Sequence, residues 1–384
     1  MGNNSFLGCS RWVFPATGSC GQPTTKSPAE AGNLRQQVLS LRCPRRSVAG
    51  ATFRRFFEHP QVFSDPASDF RHLSPIFRFW YNLVQRGVYG AVSDTVLVIG
   101  ASGMLGQDIC ARFAPYFSLV TAARRAGDFT LDITDTAAVR RVVSQVAPDI
   151  VILCAAYTDV DGCEHCPEEA YRTNAFGAAN VASACADTRA RLLFLSTDFV
   201  FDGSKRSGYT EWDTPRPLNV YGASKLAGEE WIRHTCPRHW IVRTAWLYGT
   251  GGKCFSRTIL NAAREGKPLR VVNDQVGSPT FTWDLAGVLL QIVQKAVPYG
   301  TYHAVNSGSA TWYELACETL RLARERGLLE AEVPITPISS REWLSPTQRP
   351  AYSVLAMERL RWAGIPLPRH WKEALKDFMY RLDE

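Results

Sequence analysis

The sequence predicts an α/β fold, a doubly wound parallel sheet carrying a smaller C-terminal lobe. Three observations predict it. From Thr95 onward, short apolar runs alternate with helical patterns, the texture of a parallel sheet covered on both faces. A glycine-rich turn, "GASGMLG" (Gly100–Gly106), joins the first run to the first helix. A Tyr and a Lys four positions apart, in "YGASK" (Tyr221–Lys225), follow the fourth run.

Each element follows from its own stretch. "TVLVIG" is a continuous apolar strand ending in Gly, and "MLGQDICARFA" takes helical spacing. "SLVTAA" is a second strand, "DTAAVRRVVSQV" a helix led by an acidic cap, and "DIVILCAA" a third strand. "EEAYRTNAFGAANVASACAD" is a helix, and "RLLFLST" a fourth strand. After about Arg243 the pattern loosens. Short strands ("LRVV", "YHAVN") mix with helices ("TWDLAGVLLQIVQKA", "TWYELACETLRLARER"). The division read from this is a basic extension over 1–93, a dinucleotide-binding domain over 94–245, and an interleaved, mostly substrate-binding lobe over 246–384.

Charge separates the extension from the rest. The chain of 384 residues has a net charge of +7, and residues 1–93 hold 11 Lys and Arg against 4 Asp and Glu. The remainder is therefore neutral overall. A basic balance confined to one poorly patterned arm gives no support for a nucleic-acid partner. The arm is Arg-rich, acid-poor and broken by Pro and Gly, which describes a poorly ordered extension or an organellar transit peptide. Only "SPIFRFWYNLVQRG" within it reads as a short amphipathic helix. No run approaches the ~20 apolar residues that span a bilayer. "MGNNSF" has Phe6 where a myristoylation signal needs Ser or Thr. The 11 Cys are odd in number and scattered, which suits reduced thiols in a cytoplasmic compartment. Cys163 and Cys166 form a lone Cys-x-x-Cys with no second ligand pair, so no metal is expected.

The glycine turn predicts a phosphate site. A turn between strand and helix puts phosphates at the positive helix N-terminus. Gly100 permits the tight turn, Gly103 lets a pyrophosphate approach, and Gly106 lets the helix pack closely. Gly100, Gly103, Met104, Leu105 and Gly106 are the candidate cofactor contacts there. At the end of the second strand an NAD enzyme usually carries an acid for the ribose hydroxyl. Here Arg124 and Arg125 stand instead, and guanidinium groups suit a 2′-phosphate. The reading is NADPH, with NADH as the alternative. Asp132 and Ile133 fall near the expected adenine.

"YGASK" alone is weak. With 13 Tyr and eight Lys, such a pair arises by chance in about a quarter of chains. Its context makes it chemistry. It opens a helix, so Tyr221 and Lys225 share a face. It follows a strand ending in "STDF", and ligands bind at the carboxyl ends of strands in this architecture. Thr197 and Tyr221 are thus expected to converge. The Lys225 ammonium is expected to lower the Tyr221 phenol from its usual value near 10.

These motifs together are the pattern of the extended short-chain dehydrogenase/reductase superfamily. More closely, "AAYTDVDGCE", "STDFVFDG", "PLNVYGASKLAGE", "VRTAWLYG", "NDQVGSPT" and "QRPAYSVL" resemble the successive motifs of the dTDP-4-dehydrorhamnose reductase family across about residues 94–384. The resemblance implies NADPH-dependent reduction of dTDP-4-dehydro-L-rhamnose to dTDP-L-rhamnose by a monomer or homodimer. It implies that Tyr221 gives the proton, Lys225 holds the nicotinamide ribose, and Thr197 hydrogen-bonds the reacting oxygen. Ala155, Ala156 and Tyr157 would line the cofactor. Thr158, Val160 and Trp246 would meet the substrate. Phe199 stands where members often have Tyr, and Gln348-Arg349-Pro350 stands for the family's Arg-Arg-Pro. Some members dimerise through a metal, and no motif here carries that over. A dehydratase would need Asp-Glu after the Thr, where this chain has Asp198-Phe199. An epimerase lacks the "RTAWLYG" and "NDQVGSPT" combination. From another class, the regulatory subunit of methionine adenosyltransferase looks similar, binding NADP and a partner enzyme without turnover.

Overall fold

The computed structural model describes residues 94–383, Ala331 excepted. The basic arm and its amphipathic segment lie outside the described residues.

Six strands form in the first part: β1 (Thr95–Ile99), β2 (Ser118–Ala123), β3 (Phe129–Thr130), β4 (Ile150–Leu153), β5 (Arg191–Thr197) and β6 (His239–Thr244). The second part adds β7 (Leu247–Tyr248), β8 (Leu269–Val272), β9 (Val276–Gly277), β10 (Thr280–Phe281), β11 (Gly300–His303), β12 (Ala310–Thr311) and β13 (Ile335–Ile338). A seven-stranded sheet runs in the order β11-β6-β5-β4-β1-β2-β3, and every pairing in it is parallel. The chain leaves β1 for β2 on one side and returns to β4 on the other. That reversal opens a crevice at the carboxyl ends of β1 and β4.

The continuous apolar strands predict burial on both faces, and both are covered. Val96, Val98, Ile150, Ile152, Leu193 and Val242 face one cluster, with Ile109, Phe113 and the helix Thr282–Gln294. Leu97, Ile99, Val151, Leu153, Phe194 and Ile241 face the other, with the helices Thr136–Val146 and Ala178–Thr188. Full burial of each such side chain stabilises by roughly 1.5–3 kcal/mol. A third cluster, around Tyr248, Leu260, Leu315 and Phe378, forms under the remaining helices. Trp246 packs against both the first and the third cluster. β11 lies in the C-terminal part of the sequence yet completes the sheet beside β6.

Most predicted elements form close to their expected bounds. The acidic cap is Asp135, whose carboxylate accepts from the Ala138 N–H at 2.9 Å. Two differences matter. β3 and β6 have no counterpart among the strands expected above, although β6 carries the apolar run Trp240-Ile241-Val242. The long helix expected from Glu168 is broken into Pro167–Tyr171, a π-helical stretch Arg172–Gly177, and Ala178–Thr188. The π turn turns Asn174 toward the loop after β4. There it bridges both backbone groups of Tyr157, at 2.8 and 3.0 Å, and donates to Ser224 at 3.0 Å. π turns gather at functional sites, and this one fastens the cavity wall to the Tyr-Lys helix. Among the described residues no helix is long and apolar enough to cross a membrane.

Candidate active site

One cavity of about 1010 Å³ lies at the carboxyl ends of β1, β4 and β5. Its cofactor-sized end is built from backbone. Gly100 sits at φ +90°, and a Cβ there would lie 2.6 Å from the Ala155 nitrogen. A Cβ on Gly106 would lie 2.2 Å from the Gly100 carbonyl oxygen. Gly106 therefore closes the turn on itself, where close packing of helix on sheet was expected. Gly103 is the N-cap of the helix Met104–Phe113. Gly103, Met104, Leu105 and Gly106 line the cavity, so the first-turn N–H groups, which have no acceptor within a helix, form its floor. This cradle fits a pyrophosphate.

Along the same wall stand Arg124, Arg125, Asp132, Ile133, Ala155, Ala156 and Tyr157. Arg124 and Arg125 are exposed, immediately beyond β2. The Asp132 carboxylate is held by Thr134, whose N–H and hydroxyl donate at 2.9 and 2.8 Å. Those bonds, with the backbone one foremost, keep it below the usual carboxylate range.

The other end gathers side chains. Thr158, Val160, Thr197, Phe199, Tyr221, Lys225 and Trp246 all line it. The helix Val220–Thr235 starts at Asn219, whose side chain accepts from the Gly222 N–H at 2.8 Å. Its second residue is Tyr221, so the cap fixes where the phenol stands. Asn219 also donates to the Gln348 carbonyl at 3.0 Å. Phe199 packs its ring edge-on to Tyr221, centroids 5.7 Å apart. Trp246 holds φ +48°, a strained conformation for a bulky residue. Its indole lies flat on Trp312, centroids 3.6 Å and planes 7° apart. Gly277 makes the space, since a Cβ there would lie 2.3 Å from the indole.

The electrostatics correct one expectation. Tyr221 is pushed up from its usual value, by burial first and by the neighbouring Asp198, while a hydrogen bond with Thr197 works the other way. Lys225 does not lower it. Its ammonium donates to the Leu195 carbonyl at 2.6 Å and sits 4.0 Å over the Phe194 ring. Burial lowers Lys225 itself to about 7, against the pull of Glu229. Glu229 lies one turn further along the same helix and is fully buried. It accepts from Arg243 at 2.9 and 2.7 Å and from Ser196 at 2.5 Å. Burial would raise its carboxyl, but Arg243 overrides this and brings it down to about 2.

Several lining residues had no part in the sequence reading of the site: Asp198, Lys253, Phe255 and Trp312. Lys253 sits in "TGGKCF" and Trp312 opens a capped helix; neither stretch announces a site. Arg349, quoted only within a motif, lines the cavity too. One nitrogen contacts Asp161 at 3.2 Å, while its Nε is buried without a partner. Cys163 is buried in a short helix and Cys166 is exposed.

The model of the family described as RmlD substrate binding domain matches residues 94–384. The chain belongs to this family. Over 286 residues it is 42% identical to a dTDP-4-dehydrorhamnose reductase of Streptomyces griseus, covering 73% of this chain and 91% of that one. It is 40% identical over 284 residues to the spore coat polysaccharide biosynthesis protein SpsK of Bacillus subtilis, covering 74% and 96%. Among solved structures, the Bacillus anthracis dTDP-4-dehydrorhamnose reductase in complex with NADP aligns with a TM-score of 0.71 and 36% identity, covering 75% of this chain and 99% of that one. A UDP-glucose 4-epimerase of Thermus thermophilus aligns at 0.64 with 20% identity, covering 75% and 99%, a likeness of fold alone.

Proposed function

We propose that this chain reduces dTDP-4-dehydro-L-rhamnose to dTDP-L-rhamnose with NADPH. The observation that carries the reading is that one cavity holds a glycine cradle and the Thr197, Tyr221 and Lys225 group together, in a chain of this family. When bound, NADPH supplies the hydride. The glycine turn holds its pyrophosphate, and Arg124 and Arg125 hold its 2′-phosphate. Ala155, Ala156 and Tyr157 flank it, and Lys225 holds the nicotinamide ribose.

Tyr221 gives the proton to the sugar's ketone oxygen as the alkoxide develops. Its raised phenol keeps that proton at neutral pH, the state a reduction needs. Thr197 orients the reacting oxygen. Thr158, Val160, Phe199 and Trp246 shape the sugar site. Lys253 and Arg349 supply positive charge for the sugar's diphosphate. The protein acts as a monomer or homodimer in a reducing, cytoplasmic compartment, a placement supported by its scattered free thiols.

The test is turnover of dTDP-4-dehydrorhamnose with NADPH, followed at the cofactor's absorbance, beside a direct NADPH titration. Turnover is expected. Tight NADPH binding with no turnover would favour the regulatory-subunit alternative.

A further inference from the structure

The segment after β13, residues 339–349, is tied to two parts of the substrate end. At its start, Gln275 donates to the Ser340 hydroxyl at 2.9 Å and accepts from the Trp312 indole N–H at 3.2 Å. Trp312 is the ring that lies flat on Trp246. At its far end the segment meets the short helix Val160–His165. The Ser345 hydroxyl donates to Oδ1 of Asp161 at 2.9 Å, and Nη2 of Arg349 donates to the same oxygen at 3.2 Å. The segment is thus a strap, and Asp161 is the carboxylate that gathers side chains at its far end.

The strap's backbone has anchors of its own. The Thr347 hydroxyl donates to the Val160 carbonyl at 3.4 Å, and Asn219 donates to the Gln348 carbonyl at 3.0 Å. The short helix is held separately. Asp159 caps it by accepting from the Gly162 N–H at 3.0 Å, and Glu164 accepts from the Val220 N–H at 2.8 Å. Cutting Asp161 therefore leaves both segments anchored. What Asp161 holds is a cavity-lining cation, Arg349. The two side chains are 40% and 25% exposed, and an ion pair that open to water contributes little to stability.

We propose that Asp161 is a positioning residue that acts through Arg349, holding its guanidinium ready for the diphosphate of a bound nucleotide sugar. The inference rests on the reductase reading above, which gives Arg349 that anion. A free arginine side chain loses rotamer freedom when it binds, and one already held in place loses less. Asp161 engages Nη2, so the rest of the planar fork can donate to phosphate oxygens. Ser345, on the same carboxylate oxygen, fixes the direction of the Asp161 side chain.

The experiment is a double-mutant cycle on the full chain, Asp161→Ala and Arg349→Ala alone and together, read as the dTDP Kd by titration calorimetry. Thermal melting and NADPH titration are the controls, and turnover of dTDP-4-dehydrorhamnose is measured beside them. Arg349→Ala should raise the dTDP Kd by about tenfold or more, the loss of a charge-assisted contact. Asp161→Ala should raise it by about threefold to tenfold, since the guanidinium remains but is no longer held. In the Arg349→Ala background, Asp161→Ala should change the Kd by less than about twofold. In turnover, each loss should appear chiefly as a higher KM for the sugar. A merely structural role would instead add its loss to that of Arg349→Ala, lower the melting temperature and move the NADPH Kd.

Additive losses in the cycle overturn the proposal, as does an Asp161→Ala protein with the unmutated Kd. A tighter dTDP Kd in Asp161→Ala overturns it too, since the carboxylate would then only neutralise Arg349. If Asp161→Ala does not fold, Ser345→Ala cuts the other bond to Oδ1. It should raise the dTDP Kd by about twofold or more, and only while Arg349 is present; an unchanged Kd counts against the proposal. The two readings fail separately. Turnover with an additive cycle sinks the inference alone. A non-additive cycle in a protein that binds dTDP without turnover sinks the reductase reading alone. An unmutated protein that does not bind dTDP sinks the inference, and without turnover it sinks the reductase reading as well.

Discussion

The two ends of the cavity are made of different material. The cofactor end is backbone: Gly100, Gly103 and Gly106, with the first-turn amides behind them, leave room that any Cβ at Gly100 or Gly106 would fill. The substrate end is side chain: Trp246 flat on Trp312, Phe255 tilted against Trp312, and the cations Lys253 and Arg349 at the wall. Backbone amides are the same in every residue, so the glycine cradle can hold only what all dinucleotides share. Side chains differ, so the second end has the means to tell one ligand from another. Tyr221 and Lys225 stand where the two meet, on a helix anchored by the buried Glu229–Arg243 pair.

The comparison can be broken first at that meeting point. Tyr221→Phe removes one oxygen and leaves the ring against Phe199. Stopped-assay kcat should fall by ~10²–10⁴-fold while the NADPH Kd stays unchanged. A near-normal rate would remove Tyr221 from the chemistry.

Next comes the anchor. Glu229→Gln breaks a buried pair and leaves Arg243 uncompensated, which should cost about 3–5 kcal/mol in denaturant unfolding. The pH dependence has a definite sign. The folded carboxyl is held at about 2, below its ordinary 4.5. Its stabilisation is therefore present above about pH 4.5 and is lost as pH falls toward 2. An acid unfolding curve that is the same with and without Glu229 would contradict this.

A smaller effect separates the shared part of the cofactor from its 2′-phosphate. Replacing Arg124 and Arg125 together by Ala should raise the NADPH Kd by roughly tenfold to a hundredfold, the worth of a charge-assisted contact. The NADH Kd should not move, because the glycine cradle is untouched. Equal losses for both cofactors would show that the arginines support the fold and read no phosphate.

The smallest effect sharpens the other end. Trp312→Ala uncovers the Trp246 face and should cost about 0.5–1.5 kcal/mol of aromatic stacking, read as a higher KM for the sugar. The NADPH Kd should be unchanged. A shift in NADPH binding of the same size would mean that the two ends are one site.

The sequence by itself determined the glycine turn and the meeting of Thr197, Tyr221 and Lys225 at one cavity. A strand, a glycine turn and a helix are contiguous, so their geometry follows from local sterics and the helix terminus. Tyr221 and Lys225 share a face because helical spacing puts them there. Thr197 was legible because strands of a parallel sheet end at one edge. What only the tertiary structure decided lies between distant segments. Trp312 reaches Trp246 across 66 positions of sequence, and Arg349 reaches Asp161 across 188. The π turn that sets Asn174 against Tyr157 was not legible, since its residues read as an ordinary helix. The charge states were settled last. Spacing says that Lys225 is near Tyr221, but only packing shows its ammonium on the Leu195 carbonyl and the phenol raised by burial. Local pattern fixes the backbone's course. Desolvation and pairing, which set a proton's place, depend on what the rest of the chain brings to the site.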